Sequence, residues 1–229
     1  MSEIIAGIKI PDSQMARDAT QLVRDTESDL LFNHSRRVFL FGSLSGVRRE
    51  LKYDAELLYI GAMFHDMGLQ APYSTTTDRF EVDGANAART FLKSYGIPEA
   101  DIDMVWDAIA LHTTPGIPQF KKPVVALVTA GVEMDVLGLA YDEFSEEQRI
   151  AVVQAQPRES NFKEAIIETF TKGIIFKPDS TFGNVKADVL ALKDPSYQRV
   201  NFCSLILGSK WNDDNPAYKC CNDPAHKHK

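Results

Sequence analysis

A chain of 229 residues with 44% hydrophobic and 25% charged side chains can bury one large core, and its composition excludes disordered and fibrous classes. Its formal charge of −7, with no basic block, excludes the electrostatic footprint of a nucleic-acid or anionic-membrane binder, so a small molecule is the expected partner. No apolar run reaches the ~18–20 residues a bilayer span needs, the start MSEIIAGIKIPDSQ lacks signal-peptide character, and three cysteines are too few for a disulfide framework, so a cytoplasmic location is expected.

In chain order, Met15, Ala19, Leu22 and Val23 predict an amphipathic helix ending near Asp25. Ser28 or Asp29 then caps a second helix in which Leu31, His34, Val38 and Phe41 share a stripe, with Arg36, Arg37 and Arg48 on the charged face. Asp54 caps a third helix that places Leu58, Ala62 and His65 together and ends at Gly68. A loop from Gln70 to Arg79 precedes a helix from about Gly84 to Tyr95. After Pro98, the spacing of Ile102, Val105, Ile109 and His112 predicts a helix stopped by Thr113-Thr114-Pro115-Gly116. The apolar run from Pro123 aligns Val124, Val128 and Asp135. Further helices are expected over 145–155, where Ser145 to Gln148 has capping-box form, over 162–172 and over 197–209. The expected architecture is all-α: one domain over 1–211 with its site at the centre of the helical core, about 28–140, followed by a polar, disordered tail over 212–229.

Singly, a histidine on an apolar face is usually a core residue held by a backbone carbonyl. His34, His65, His112 and Asp135 on different helices facing one core, with Asp66 directly after His65, are different, because they need either mutual hydrogen bonding or a shared cation to offset their burial. Imidazole and carboxylate ligands suit zinc, iron, manganese or nickel.

The order His34, His65-Asp66, Asp135 is similar to the H…HD…D pattern of HD-domain metal-dependent hydrolases. The words NHSRRVFLFG, FHDMGL, DRFEVDGANAA, AIALHTTPG and ALVTAGVEMDVLG resemble the cyanamide hydratase-like branch of that superfamily. The resemblance implies a helical HD fold with one divalent metal, zinc first and iron or manganese as alternatives, held by His34, His65, Asp66 and Asp135. It further implies that the metal acidifies a bound water for attack on the nitrile carbon of cyanamide, giving urea. Asp66 and His112 take the catalytic roles of proton shuttle and proton donor, with Thr113, Glu81 and Asp83 placing substrate or ligands; Glu81 and Asp83 would otherwise be ordinary helix caps. A homodimer is expected by the same analogy.

The runner-up is an HD-type phosphohydrolase acting on a nucleotide or other phosphate ester. Many such enzymes carry HDxxE, whereas Leu69 stands in that place. A di-iron oxygenase would need more histidines than His112 between the doublet and Asp135. A non-enzymatic helical protein with a structural metal core is the third alternative. A second metal site built from Cys220, Cys221, His226 and His228 is disfavoured because adjacent cysteines make poor tetrahedral ligands.

Overall fold

The computed structural model describes residues 3–181 and 183–218. The described residues are overwhelmingly helical, and the exception is a two-stranded antiparallel hairpin, β1 (Ile4–Ile5) with β2 (Ile8–Lys9). No helix among them is long and apolar enough to cross a membrane.

The caps at Ser28 and Asp54 fall where the sequence puts them, and Ser13 adds another. Ser13 accepts from Ala16 N to start α1 (Gln14–Thr26), and Ser28 accepts from Leu31 N to start α2 (Asp29–Arg48). Asp54 accepts from Glu56 N and Leu57 N to start α3 (Ala55–Phe64). Such caps satisfy amide groups that a helix's first turn would otherwise leave unpaired.

Two boundaries differ from expectation. Helix α3 ends at Phe64, with His65 as its C-cap, and Gly68 sits one turn later in a 3-10 segment. A Cβ on Gly68 would lie 1.9 Å from the Phe80 carbonyl oxygen, so this glycine serves a close approach between chain segments and not a helix stop. That approach also draws the next helix, α4 (Phe80–Ser94), four residues nearer the N-terminus than its expected start at Gly84.

Helix α2 forms the central axis and is buried nearly all round. Arg36 and Arg37, expected on its charged face, are 6% and 0% exposed; the expected charged face therefore holds only towards Arg48. Helix α5 (Glu99–Ala110) packs on α3 and α4, and α6 (Pro123–Val132) crosses α2. A Cβ on Gly131 would lie 2.1 Å from the Val38 carbonyl oxygen, and one on Gly42 would lie 2.6 Å from that of Leu127. The α2/α6 crossing is thus a backbone-to-backbone contact, and it sets Asp135 beside His34 (2.7 Å). Past α6 the chain continues as a π-helical turn, Glu133–Leu137, closed by Gly138 at φ 66°.

Helix α7 (Glu146–Ala155) carries the expected capping box of Ser145 and Gln148. Helices α8 (Phe162–Ile174), α9 (Val185–Lys193) and α10 (Phe202–Leu207) follow. Of these α9 was not anticipated, and α10 is shorter than the expected 197–209.

The start of the expected disordered tail is docked instead. Tyr218 is buried, and Asp213 accepts a hydrogen bond from Arg158 Nε at 2.9 Å because the buried guanidinium needs a carboxylate. Residues 219–229, with Cys220, Cys221, His226 and His228, lie outside the described residues.

Replacing Gly131 by Ala forces α2 and α6 apart. Overpacking of this kind costs about 1–3 kcal/mol, which at ~2–4 °C per kcal/mol for a chain of this size lowers Tm by several degrees. An unchanged melting temperature for Gly131→Ala would contradict the close crossing.

Candidate metal centre

Three histidines meet beside Asp66, and each spends one ring nitrogen facing outward. His65 Nδ1 donates to the Ala62 carbonyl at 2.7 Å, and His112 Nδ1 donates to that of Ile109 at 2.6 Å. His34 Nδ1 donates to Asp135 Oδ2 at 2.7 Å. With Nδ1 carrying the hydrogen, the Nε2 of each neutral ring is a lone pair aimed inward. His34 Nε2 and His65 Nε2 lie 3.1 Å apart. Asp66 Oδ2 is 3.3 Å from His65 Nε2 and 3.6 Å from His34 Nε2, while Asp66 Oδ1 is 3.7 Å from His112 Nε2.

All four side chains are almost fully buried. Both Asp66 oxygens and His112 Nε2 have no hydrogen-bond partner. Converging lone pairs and an unsatisfied buried carboxylate repel one another unless a cation sits among them. His34, His65 and Asp66 can each direct one ligand atom to a common ion, and nitrogen and carboxylate donors suit a divalent transition metal.

Asp135 does not join this set. Its Oδ1 accepts from Arg37 Nε at 2.7 Å and from Arg158 Nη1 at 3.0 Å, while its Oδ2 accepts from Arg37 Nη2 at 2.9 Å and from His34 Nδ1. Two buried guanidiniums therefore neutralise the carboxylate, so no metal is needed to explain its burial. In the structure it stands one step further out than the cluster, where its bond to Nδ1 fixes the tautomer and orientation of His34.

Glu81 and Thr113 do reach the site's edge. Arg79 Nη2 donates to Glu81 Oε1 at 2.7 Å, and Thr113 Oγ1 donates to the same oxygen. Asp83 does not; it accepts from Thr75 N at 3.0 Å and from buried Lys177 Nζ at 2.8 Å. Its expected role near substrate gives way to tying the loop before α4 to the end of α8.

The sequence carries no local signal that links Arg158 and Lys177 to their carboxylates, whereas Arg37 shares the His34 face at i+3 and Arg79 stands two residues before Glu81.

The metal cluster opens onto a cavity of about 930 Å³ that is also lined by Arg79, Phe80, Glu81, Thr113, Phe170 and Phe202. The chain matches the HD domain family across residues 31–153, more than half its length. It belongs to the HD domain family. HD domains bind divalent metals and are typically metal-dependent hydrolases, which agrees with the cluster's appetite for a cation. A comparison with curated proteins finds no match.

Electrostatics in this HD domain follow from burial and pairing. Burial opposes charge on Asp66, yet His65 and His34 beside it hold its pKa well below the usual carboxylate range. Burial likewise opposes charge on His65, but Asp66 outweighs this and raises the imidazole's pKa. Burial and the neighbouring His65 push His112 down to about 4, so it is neutral near pH 7.

Replacing His65 by Ala should abolish stoichiometric metal binding, read by elemental analysis, while the metal-free variant still folds. Asp135→Ala should instead cost about 3–5 kcal/mol of stability, because it leaves buried Arg37 and Arg158 uncompensated. Full metal content in His65→Ala, or an undiminished Tm in Asp135→Ala, would sink this division of roles.

The pH dependence of the metal-free protein has a defined sign. Unfolded His112 takes up its proton near 6.5, and folded His112 does so near about 4. Between those values the unfolded state binds more protons, so this group's contribution lowers stability as pH falls through the window. Thermal melts of chelator-treated protein should show Tm falling from pH 6.5 to 4, less steeply in His112→Gln; identical slopes would contradict a neutral buried His112.

Proposed function

We propose that this HD-domain enzyme adds water to a small neutral electrophile, with hydration of cyanamide to urea as its simplest reaction. The observation that carries this reading is the state of the cavity's cations. Among the described residues, Arg79 and Arg199 are the cationic side chains lining the cavity, and each is already paired with a carboxylate, Glu81 and Asp188. A phosphate ester would present a dianion that only the metal could receive, because neither guanidinium lining the cavity is left unpaired. Leu69, in place of the acidic residue of HDxxE, points the same way.

His34, His65 and Asp66 would hold the metal, which when bound polarises the electrophile and makes a water acidic near neutral pH. The remaining work falls to side chains on the cluster's open side. Asp66 Oδ1, unpartnered and facing His112 Nε2, accepts the proton that water loses on attack. His112 stays neutral at pH 7 because burial depresses its pKa, and its Nε2 passes that proton to the substrate nitrogen. Glu81, held ionised below its usual range against burial by Arg79 and Thr113, accepts from Thr113 and fixes the wall next to His112. For cyanamide the balance is simple: the water oxygen bonds to the nitrile carbon, and both water hydrogens end on nitrogen after tautomerisation.

Metal-loaded protein should convert cyanamide to urea and leave nucleoside monophosphates intact. His112→Ala should retain metal and lose on the order of 10²–10⁴ in kcat, the usual share of a proton-transferring group. Hydrolysis of the monophosphates with cyanamide untouched would overturn this reading in favour of a phosphohydrolase.

A further inference from the structure

Cyanamide fills little of the space available. At ~30 Å³ per water-sized unit, its three heavy atoms occupy on the order of a tenth of the 930 Å³ cavity. The rest of the cavity lies away from the metal cluster, against side chains of a different character. Val136 and Leu137 approach from the π-helical turn, Phe170 and Ile174 from α8, and Phe202 and Leu205 from α10. The last four stand beyond residue 153, where the HD match ends.

This wall is built and held. Phe170 packs edge-on against Phe80 with centroids 5.5 Å apart and against Phe202 at 6.1 Å. Just past α8, Lys177 is clamped by Asp83, Ser74 and Thr75. Yet Phe202 and Leu205 remain 45% and 43% exposed, so apolar area facing the cavity lies open for a ligand to cover. The polar residues that line it on this side, including Asn184, Asp188 and Arg199, are exposed to solvent. The cavity therefore runs from a buried polar end, where Asp66 and His112 Nε2 are unpartnered, through an apolar middle to a polar mouth.

We propose that the substrate carries a hydrocarbon body on its small neutral head, and that Phe170, Ile174, Phe202 and Leu205 select it by covering that body while the head meets the metal cluster. With the hydration reaction above, on which the choice of head rests, an alkylcyanamide is the fitting class: water adds across the C≡N bond and the product is the N-alkylurea, with no oxidant or further reactant needed. A body of this kind orients the head as well as binding it, since a chain lodged among Phe170, Phe202 and Leu205 leaves one end free to reach Asp66.

The test titrates zinc-loaded protein with N-alkylureas from methyl to hexyl by calorimetry, alongside turnover of cyanamide and hexylcyanamide. Burial of each methylene should tighten Kd about three- to four-fold. Phe202→Ala and Leu205→Ala, at half-exposed positions the fold tolerates, should flatten that slope. Leu192→Ala, an exposed apolar side chain in the same segment but outside the cavity (79% exposed), should leave it unchanged. A Kd independent of chain length, or a slope lost equally in Leu192→Ala, overturns the proposal even if cyanamide is hydrated. A steep slope with neither cyanamide hydrated supports the hydrocarbon body and removes the hydration reading.

Discussion

Everything at the centre of this protein depends on where three imidazoles place their hydrogens. His34, His65 and His112 each donate from Nδ1 to a fixed acceptor, Asp135, the Ala62 carbonyl and the Ile109 carbonyl. Their Nε2 lone pairs are therefore turned inward on a carboxylate that no donor satisfies. Left alone this would be among the least favourable arrangements in a protein interior, since neither lone pairs nor carboxylate find a proton without charging a buried ring. A divalent cation converts the same arrangement into a set of bonds, and the helices can be read as the frame that holds it in readiness. The glycine contacts between α2 and α6 and between the end of α3 and the start of α4 are the mechanical side of that frame: they bring backbones close enough for short side chains to meet.

Asp135 shows how a buried charge can serve a metal without binding it. Its burial is compensated by Arg37 and Arg158, themselves buried, and Arg158 is shared with Asp213 near the end of the described chain. The alternation of charges runs from the periphery to His34, so the orientation of one candidate ligand rests on an ion-pair chain that includes residues 158 and 213. Such networks contribute little net stability over an apolar equivalent but fix geometry tightly, and removing one member strands the rest. It follows that segments outside the matched HD region take part in holding the centre.

The helical fold and the inward histidines were legible because they rest on local chemistry: caps at Ser28, Asp54 and Ser145, proline at the start of α6, and apolar spacing that carried His34 and His112 along with it. What escaped was of two kinds. Long-range charge pairing, Arg158 with Asp135 and Lys177 with Asp83, has no sequence periodicity, so the cations that neutralise an inward Asp135, on a distant element and on the expected charged face of α2, are not legible beside it. Segments with little buried surface were the other kind. Helix α9 has apolar residues at helical spacing, Val185, Val189 and Leu192, but they stay exposed and only Ala187 is buried, and Gly68 resembles a helix stop because a tertiary close approach leaves the same residue type in the sequence as a C-cap does.

The two parts of the chain divide the work by the physics each requires. Residues of the HD region bring the imidazoles and Asp66 together through the largely buried helices α2 and α3 and the end of α5, as a metal centre needs, because small displacements of ligands matter there. Residues 162–207 carry much exposed apolar surface, including Ile175, Val185, Val189 and Leu192 beside the cavity-lining Phe202 and Leu205. A wall of this kind changes by single side chains without disturbing the core, because its packing against the centre runs through a few anchors: Lys177 on Asp83, Phe170 on Phe80 and Phe162 against His34. Chemistry and selectivity are thereby separable in the sequence, the first fixed by the lone pairs around Asp66 and the second by the hydrocarbon surface that faces them across the cavity.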